Sequence, residues 1–348
     1  MLAPPVHAPL PDAAHLRRPA AARLVWFAAA VVVVIVLCVC SAALGVREVS
    51  VSDILAGLSG ETSTLGQAAV AARIPRTVMA LLVGAALALA GTAIQAVTRN
   101  PIGDPAILGV TGGASLAVVA GLAFFGLASP WTQIVLAIVG AAGASVLVYA
   151  IGALGRGGPT PLKLALAGAA TSAACISLVS AILLPRIDIV ETFRFWQVGG
   201  VGGATWDRII VLGPVLALGA LLCLATARGM NSLALGDDLA AALGEHVLRT
   251  RAIAAIGAVV LCGAATALVG PIAFVGLVIP HFCRLLVGTD HRWLLPFAAV
   301  AGAGLLVAAD VIGRLVARPE ELQVGIVTAL LGAPFFIWIV RRQKVREL

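Results

Sequence analysis

Residues 24–44 read LVWFAAAVVVVIVLCVCSAAL, an apolar run that contains no charged side chain. A helix needs about 20 such residues to cross the hydrocarbon core of a bilayer. The whole 348-residue chain has the same character, with 61% hydrophobic residues, 11% charged residues and a mean hydropathy of +1.08. A soluble domain carries about 25% charged residues, so this composition excludes a soluble enzyme and a disordered protein. Uninterrupted runs also exclude a transmembrane β-barrel, whose strands alternate in polarity.

Runs of this kind recur along the chain and predict an all-α, polytopic membrane protein with about ten transmembrane helices. The 38 glycines indicate that these helices pack closely through small residues. The segment 106–127 contains adjacent glycines and 272–287 is short, so nine or eleven spans are the alternatives. The predicted spans cover residues 24–45, 77–97, 106–127, 131–154, 162–184, 206–227, 251–270, 272–287, 293–316 and 323–341.

The distribution of lysine and arginine predicts the orientation of the chain. Ten spans place both termini on one side, and the segments on that side carry more Lys and Arg than those on the other. The positive-inside rule then predicts cytoplasmic termini. We expect cytoplasmic tails at 1–22 and 343–348 around a single transmembrane domain at 23–342. Topology accounts for the net charge of +7, so no nucleic-acid partner is predicted.

The sequence lacks motifs for catalysis and for metal binding. No GxxxxGK[ST], HExxH, CxxC or GxSxG motif occurs, and the six cysteines lie in apolar sequence without metal-ligand spacing. We therefore predict no catalytic and no metal-binding residues. Ion-coupled carriers keep ionisable groups inside their spans, whereas here Asp310 is the one candidate. An ion-coupled carrier is thus disfavoured, and the energy source is expected in another subunit.

Two polar clusters stand at opposite ends of the second span. RIPR, residues 73–76, and Arg314 lie on the outer side, where the positive-inside bias should deplete arginine. Grouped arginines there indicate carboxylates to bind. At the inner end, residues 98–110 read TRNPIGDPAILGV, and the two prolines break the helix. Broken polar backbone at membrane depth usually lines a cavity or a contact.

The inner loop contains LGDDLAAALGEHV, residues 235–247. Asp237 and Asp238 suit a helix N-terminus, and Gly244 stands where a short helix would end. The apolar side chains recur at helical spacing at Leu235, Leu239, Ala242 and Leu243. The pattern predicts an amphipathic helix of two to three turns on the cytoplasmic face. It either rests on the lipid headgroups or docks a cytosolic partner.

Four motifs, in order, cover residues 73–339 and carry a family resemblance. They are RIPRTVMALLVGAALALAGTAIQAVTRNPIGDPAILGVTGGAS, LALGDDLAAALGEHVLRTR, GPIAFVGLVIPHFCR, and AADVIGR with VGIVTALLGAPFFIWI. Together they resemble the FecCD-type permeases of ABC importers for iron-siderophores, haem and cobalamin. The resemblance implies a multi-pass protein of the bacterial cytoplasmic (inner) membrane. It also implies a second permease chain, identical or different, two cytosolic ATPase subunits and an extracytoplasmic substrate-binding protein. ATP and Mg²⁺ would bind to the ATPases, leaving this chain without a cofactor.

The resemblance also implies roles for individual residues. A coupling helix seated in a groove of the ATPase would include Leu235, Gly236, Asp237, Asp238, Ala241, Leu243 and Gly244. The residues that dock glutamates of the binding protein would be Arg73, Arg76 and Arg314. The inner constriction of the path would be Asn100 and Ile102, and the path-lining residues would be Thr171 and Ser172.

An iron(III)-siderophore is the expected cargo, because most of the family carries one and LALGDDLAAALG resembles its siderophore members. Haem and cobalamin are the alternatives within the family. Haem is disfavoured, because the only tyrosine is Tyr149 and no histidine lies in the middle of a span. Outside the family, an ion-coupled carrier, a channel or a membrane scaffold are the alternatives. The expected mechanism is alternating access driven by ATP binding.

Overall fold

The computed structural model describes residues 19–101, 103–154 and 160–344, and within these ranges every regular element is a helix. This confirms the predicted all-α class. In chain order the helices are α1 (Ala20–Ala43), α2 (Val51–Leu58), α3 (Leu65–Thr98), α4 (Val110–Phe125), α5 (Pro130–Ala153), α6 (Pro161–Leu183), α7 (Ile187–Val198), α8 (Trp206–Ala225), α9 (Ala227–Leu233), α10 (Asp237–Ala242), α11 (Val247–Val269), α12 (Val275–Val287), α13 (His291–Val316) and α14 (Val324–Lys344). A 3₁₀ turn, Pro105–Leu108, precedes α4.

Each predicted span corresponds to an observed helix. Among the described residues, seven helices are long and apolar enough to cross a membrane, namely α1, α3, α5, α6, α8, α11 and α13. The remaining predicted spans correspond to α4, α12 and α14, which carry shorter apolar stretches. The chain is therefore a multi-pass membrane protein. The side on which its termini lie stays a prediction.

Helix α3 is the centre of the fold, since it packs against α8, α11, α12 and α13. A capping box between Thr64 and Gln67 closes its N-terminus. A Cβ atom at Gly84 would overlap the backbone of Gly302 on α13, and one at Gly91 would overlap the backbone of Gly276 on α12. Close packing through small residues is thus confirmed, because side chains at these positions would push the helices apart.

The inner loop differs from the predicted helix of two to three turns. Helix α10 covers only six residues, because Gly236 before it (φ 111°) and Gly244 after it (φ 82°) adopt positive φ. Helix α9, which the sequence did not predict, packs against α3, α11 and α13. The loop therefore consists of a short anchored helix followed by a shorter surface helix.

Candidate functional site

A cavity of about 560 Å³ lies beside the break between α3 and α4. Its wall is formed mainly by the 3₁₀ turn, by α4, α6 and α11, and by the backbone that connects α11 to α12, and α3, α7, α12 and α14 contribute one or two residues each. The wall is mainly apolar, and its polar side chains are Asp104, Thr111, Ser115, Ser172, Ser180, Gln197 and Thr266. A mostly apolar cavity with a few polar groups suits a bulky organic molecule.

Helix α6 contributes one continuous face to this cavity. Its lining residues are Ser172, Ile176, Val179, Ser180 and Leu183, which recur at helical spacing. Of the two residues predicted to line a path, Ser172 lies on the wall. Thr171 is buried and packs near Gly109 instead. The 3.6-residue period counted from Ser172 is the sequence signal that would have identified the rest of this face.

The inner end of α3 is a hydrogen-bonded turn. Arg99 follows the helix in left-handed backbone, with φ 48° and ψ 33°. The N–H group of Asn100 donates to the carbonyl oxygen of Gln95 over 3.2 Å, and the Asn100 carbonyl accepts from Gly103 over 2.9 Å. These bonds satisfy backbone groups that the helix break would otherwise leave unpaired. Ile102, the other residue of the predicted constriction, lies outside the described residues.

The segment around α10 presents apolar side chains on the protein surface. Leu235, Leu239 and Leu243 are all largely exposed, whereas Ala240 is buried. The other residues predicted for a coupling helix comprise the exposed Asp238, Ala241 and Gly244 and the partly buried Gly236 and Asp237. Exposed apolar clusters with a charged rim are typical of protein interfaces.

Asp237 connects α10 to two arginines on other helices. Arg251 on α11 donates from Nη1 to Oδ2 of Asp237 over 3.0 Å and from Nη2 to Oδ1 over 2.8 Å, a bidentate pair. Nη2 of Arg99 also contacts Oδ1 of Asp237. The Asp237 side chain is 46% exposed and that of Arg99 is 37% exposed. This partly hydrated network joins α10 to α11 and to the inner turn.

Asp290, the N-cap of α13, forms a second network at the inner end. Asn231 on α9 donates from Nδ2 to Oδ1 of Asp290 over 2.7 Å. Arg292 donates from Nη2 to Oδ2 over 3.0 Å, and Nη1 of Arg23 lies 3.7 Å from Oδ2. Burial alone would raise the pKa of Asp290, but the bonds from Arg292 and Asn231 outweigh burial and lower the pKa to about 2. Asp290 therefore stays ionised at physiological pH and holds α1, α9 and α13 together.

The outer end of the fold, defined here as the end that carries Arg76 and Arg314, contains a buried ion-pair cluster. Nε of Arg76 donates to Oδ1 of Asp310 over 2.8 Å, and Nη2 of Arg314 lies 2.9 Å from Oδ2 of Asp310. The Asp310 side chain is only 1% exposed, so its charge is balanced inside the protein. Nη1 of Arg76 donates to Oε2 of Glu321 over 2.7 Å, and Glu321 is 40% exposed. Arg76 therefore connects the buried cluster to the surface.

Two of these outer arginines satisfy carbonyl groups that follow α1 or lie at its end. Arg73 donates to the carbonyl oxygens of Ala42 and Arg47, each over 2.8 Å. Arg314 donates to that of Leu44 over 3.0 Å. The last carbonyls of a helix have no partner within the helix, and cations are favoured there. Both arginines are buried, so a contact with carboxylates of another protein would first have to break these bonds.

Within the described residues, no group of three or more His, Cys, Asp or Glu side chains is placed to hold a metal ion.

The comparisons with known proteins agree on one family. The sequence profile of the FecCD transport family matches residues 33–342. The chain is 45% identical over 302 residues to the ferric enterobactin transport system permease protein FepD of Escherichia coli (strain K12), covering 86% of this chain and 90% of that protein. It is 38% identical over 277 residues to the hemin transport system permease protein HmuU of Yersinia pestis, covering 78% of this chain and 82% of the relative.

A solved structure gives the same result for the fold. The chain superimposes with a TM-score of 0.80 and 28% identity on a metal-chelate type ABC transporter in an inward-facing conformation. The match covers 92% of this chain and 99% of the solved one.

Proposed function

Because the chain belongs to the FecCD transport family, we propose that it carries an iron(III)-siderophore inward across the cytoplasmic membrane of a bacterium. Members of this family are permease subunits of ABC importers, and the ATPase is a separate subunit. The observation that carries the choice of cargo is the 45% identity to a ferric enterobactin permease over most of both chains.

The cavity is the proposed segment of the translocation path. Its apolar wall with scattered hydroxyl groups suits an organic chelate, and it offers few charged side chains that would hold the cargo tightly. Weak binding lets the cargo leave after the cavity has opened to the other side. The turn at Asn100 then closes the path toward the cytoplasm, with Ile102 as the other expected residue of the constriction, and a second permease chain supplies the opposite wall.

The ATPase subunits dock at the exposed leucines around α10. An apolar surface outside the membrane would be costly to leave in water, and Leu235, Leu239 and Leu243 provide one that a groove on the ATPase can cover. ATP and Mg²⁺ bind to those subunits, so this chain needs no cofactor of its own.

The substrate-binding protein docks at the outer end, with Arg76 as the direct contact. Glu321, which is partly exposed, occupies one of the guanidinium nitrogens of Arg76. A glutamate on the binding protein can replace Glu321 there with the same charge-assisted bond. The positive charges of Arg73 and Arg314 attract the same carboxylate while their side chains hold α1 in place.

Haem and cobalamin stay the alternatives within the family. The hemin permease among the relatives supports haem as one of them. The described residues that line the cavity include neither histidine nor tyrosine, and Cys262 is the one lining side chain of a type that binds haem iron. An ion-coupled carrier is the alternative from another class, and it predicts transport without an ATPase.

The test is uptake by bacteria with and without this chain under iron limitation. Labelled ferric enterobactin, haem and cobalamin are offered in parallel, and each assay is repeated in cells that lack the partner ATPase. Loss of ferric enterobactin uptake in both deletions supports the proposal. Loss of haem or cobalamin uptake instead replaces the cargo, and uptake that survives without the ATPase overturns the ATP-driven mechanism.

A further inference from the structure

Arg99 joins the surface helix α10 to the turn that contains Asn100. Arg99 directly precedes Asn100 in the chain, and its Nη2 contacts Oδ1 of Asp237, the first residue of α10. An ion pair thus connects the proposed ATPase-docking segment directly to the proposed inner constriction.

The neighbouring helix α9 is anchored differently. Met230 and Leu233 on α9 are fully buried, and Asn231 is bonded to Asp290. Helix α10 packs against α9 and α11, but of its six residues only Ala240 is buried. A force applied to α10 therefore acts on few packed side chains and acts directly on the two arginines that hold Asp237.

The backbone conformation at Arg99 also favours a role for its side chain. Left-handed backbone is unfavourable for a residue that has a Cβ atom and costs glycine nothing. Glycine would form this turn with less strain, so the requirements of the turn do not explain an arginine at this position. The contact with Asp237 supplies a reason, because glycine has no side chain with which to make it.

We propose that Arg99 is a positioning residue that transmits a displacement of α10 to the Asn100 turn. When the ATPases move α10, Asp237 pulls the guanidinium group of Arg99, and the turn follows because Asn100 is the next residue. The pair is partly hydrated, so it adds little to stability. Its role is to couple two segments rather than to hold the fold. This inference rests on the proposed function.

The test compares Arg99→Gly and Arg99→Lys in the complete transporter. The permease, its ATPase and its binding protein are reconstituted in lipid vesicles, and ⁵⁵Fe-labelled ferric enterobactin taken up is divided by ATP hydrolysed. Arg99→Gly keeps the left-handed backbone and removes the charge, so we expect the ratio to fall about fivefold or more, as for a modest coupling between sites. Arg99→Lys keeps the charge and should recover at least about half of the lost ratio. Arg99→Gln is the substitute if Arg99→Gly does not assemble.

The matched control is Arg228→Gln, which removes a positive charge from an exposed position on α9 and should leave the ratio unchanged. An unchanged ratio in Arg99→Gly, with a wild-type transporter that works, overturns the inference. A lower ratio accompanied by less ATPase in the purified complex also overturns it, because Arg99 would then support docking. A wild-type complex that shows no ATP-driven uptake overturns the proposed function instead.

Discussion

Near each end of α3, arginines bind a carboxylate, but the two ends differ in burial. At the outer end Arg76 and Arg314 enclose Asp310, whose side chain is 1% exposed. At the inner end Arg99 and Arg251 share Asp237, whose side chain is 46% exposed. The same chemical groups therefore act in two different electrostatic environments.

Burial decides what such an ion pair can do. A buried charge that loses its partner costs several kcal/mol, so it fixes the geometry around it. An exposed pair contributes about 0–1 kcal/mol, so it can break and re-form as segments move. The comparison indicates that the outer end is rigid and suited to receive a partner in one orientation. It also indicates that the contacts at the inner end can rearrange, which suits the transmission of motion.

The largest effect should follow from removing the charge of Asp310. Asp310→Asn leaves Arg314 without its carboxylate in a buried site, and we expect a loss of about 3–5 kcal/mol in the free energy of unfolding. Denaturant titration of the purified permease in mixed micelles measures this. Glu321→Gln is the control, since Glu321 lies at the surface and its removal should cost about 1 kcal/mol or less. Equal losses of unfolding free energy in the two variants would contradict the conclusion that the outer end is rigid.

A smaller loss of stability should follow from removing Arg73, which caps the C-terminal end of α1. Arg73→Met removes the donors to the carbonyl groups of Ala42, Ala43 and Arg47, which form part-buried hydrogen bonds, and we expect a loss of about 1–2 kcal/mol in the free energy of unfolding. Arg47→Met removes an arginine side chain that is exposed on the same segment and should change stability little. A harmless Arg73→Met would show that this arginine is free for another role, such as direct docking.

Much of the fold could be predicted because the length of apolar runs is enough to locate membrane helices. Each predicted span became a helix, whereas α9 was missed because its seven residues include polar ones and form no long apolar run. Positive φ at Gly236 and Gly244 shortened α10, and a glycine in a sequence does not reveal its backbone conformation.

The sequence predicted individual residues of the candidate site, but it did not predict which of them form ion pairs with one another. Arg76, Arg314 and Asp310 were identified from their location, but the bond between Arg76 and Asp310 joins residues 234 positions apart. Such a contact depends on which faces of two helices meet. The predicted spans are apolar on nearly every face, so periodicity does not tell which face packs. The shared partner of Arg99 and Arg251 could not be found in the sequence either, because Arg99 and Asp237 lie between the predicted spans, where no apolar run indicates which segments meet.

The exposure of Asp290 lies between those of the two carboxylates compared above. Its side chain is 18% exposed, against 1% for Asp310 and 46% for Asp237. Its pKa is lowered to about 2 from 3.8, so its contribution to stability is complete above about pH 4 and is lost as the pH falls from there toward 2. We expect Asp290→Asn to destabilise the permease less than Asp310→Asn. The difference in melting temperature from wild type should stay constant between pH 8 and 5 and shrink below pH 4. A difference that changes between pH 8 and 5 would mean that another titrating group governs the inner network.

The smallest effect on stability is expected at α10. Leu239 is 59% exposed, so Leu239→Ser should change the free energy of unfolding by less than about 0.5 kcal/mol. The same variant should weaken association with the ATPase about tenfold, because an apolar side chain that enters a partner's groove contributes on the order of 1–2 kcal/mol when buried. Co-purification of the two subunits over a dilution series measures the association.

Leu55→Ser on α2, where the leucine is 65% exposed, is the matched control at the other end of the fold and should leave association intact. If Leu239→Ser destabilises the protein as much as Arg73→Met, then α10 is packed rather than adjustable, and the contrast between the two ends of α3 fails.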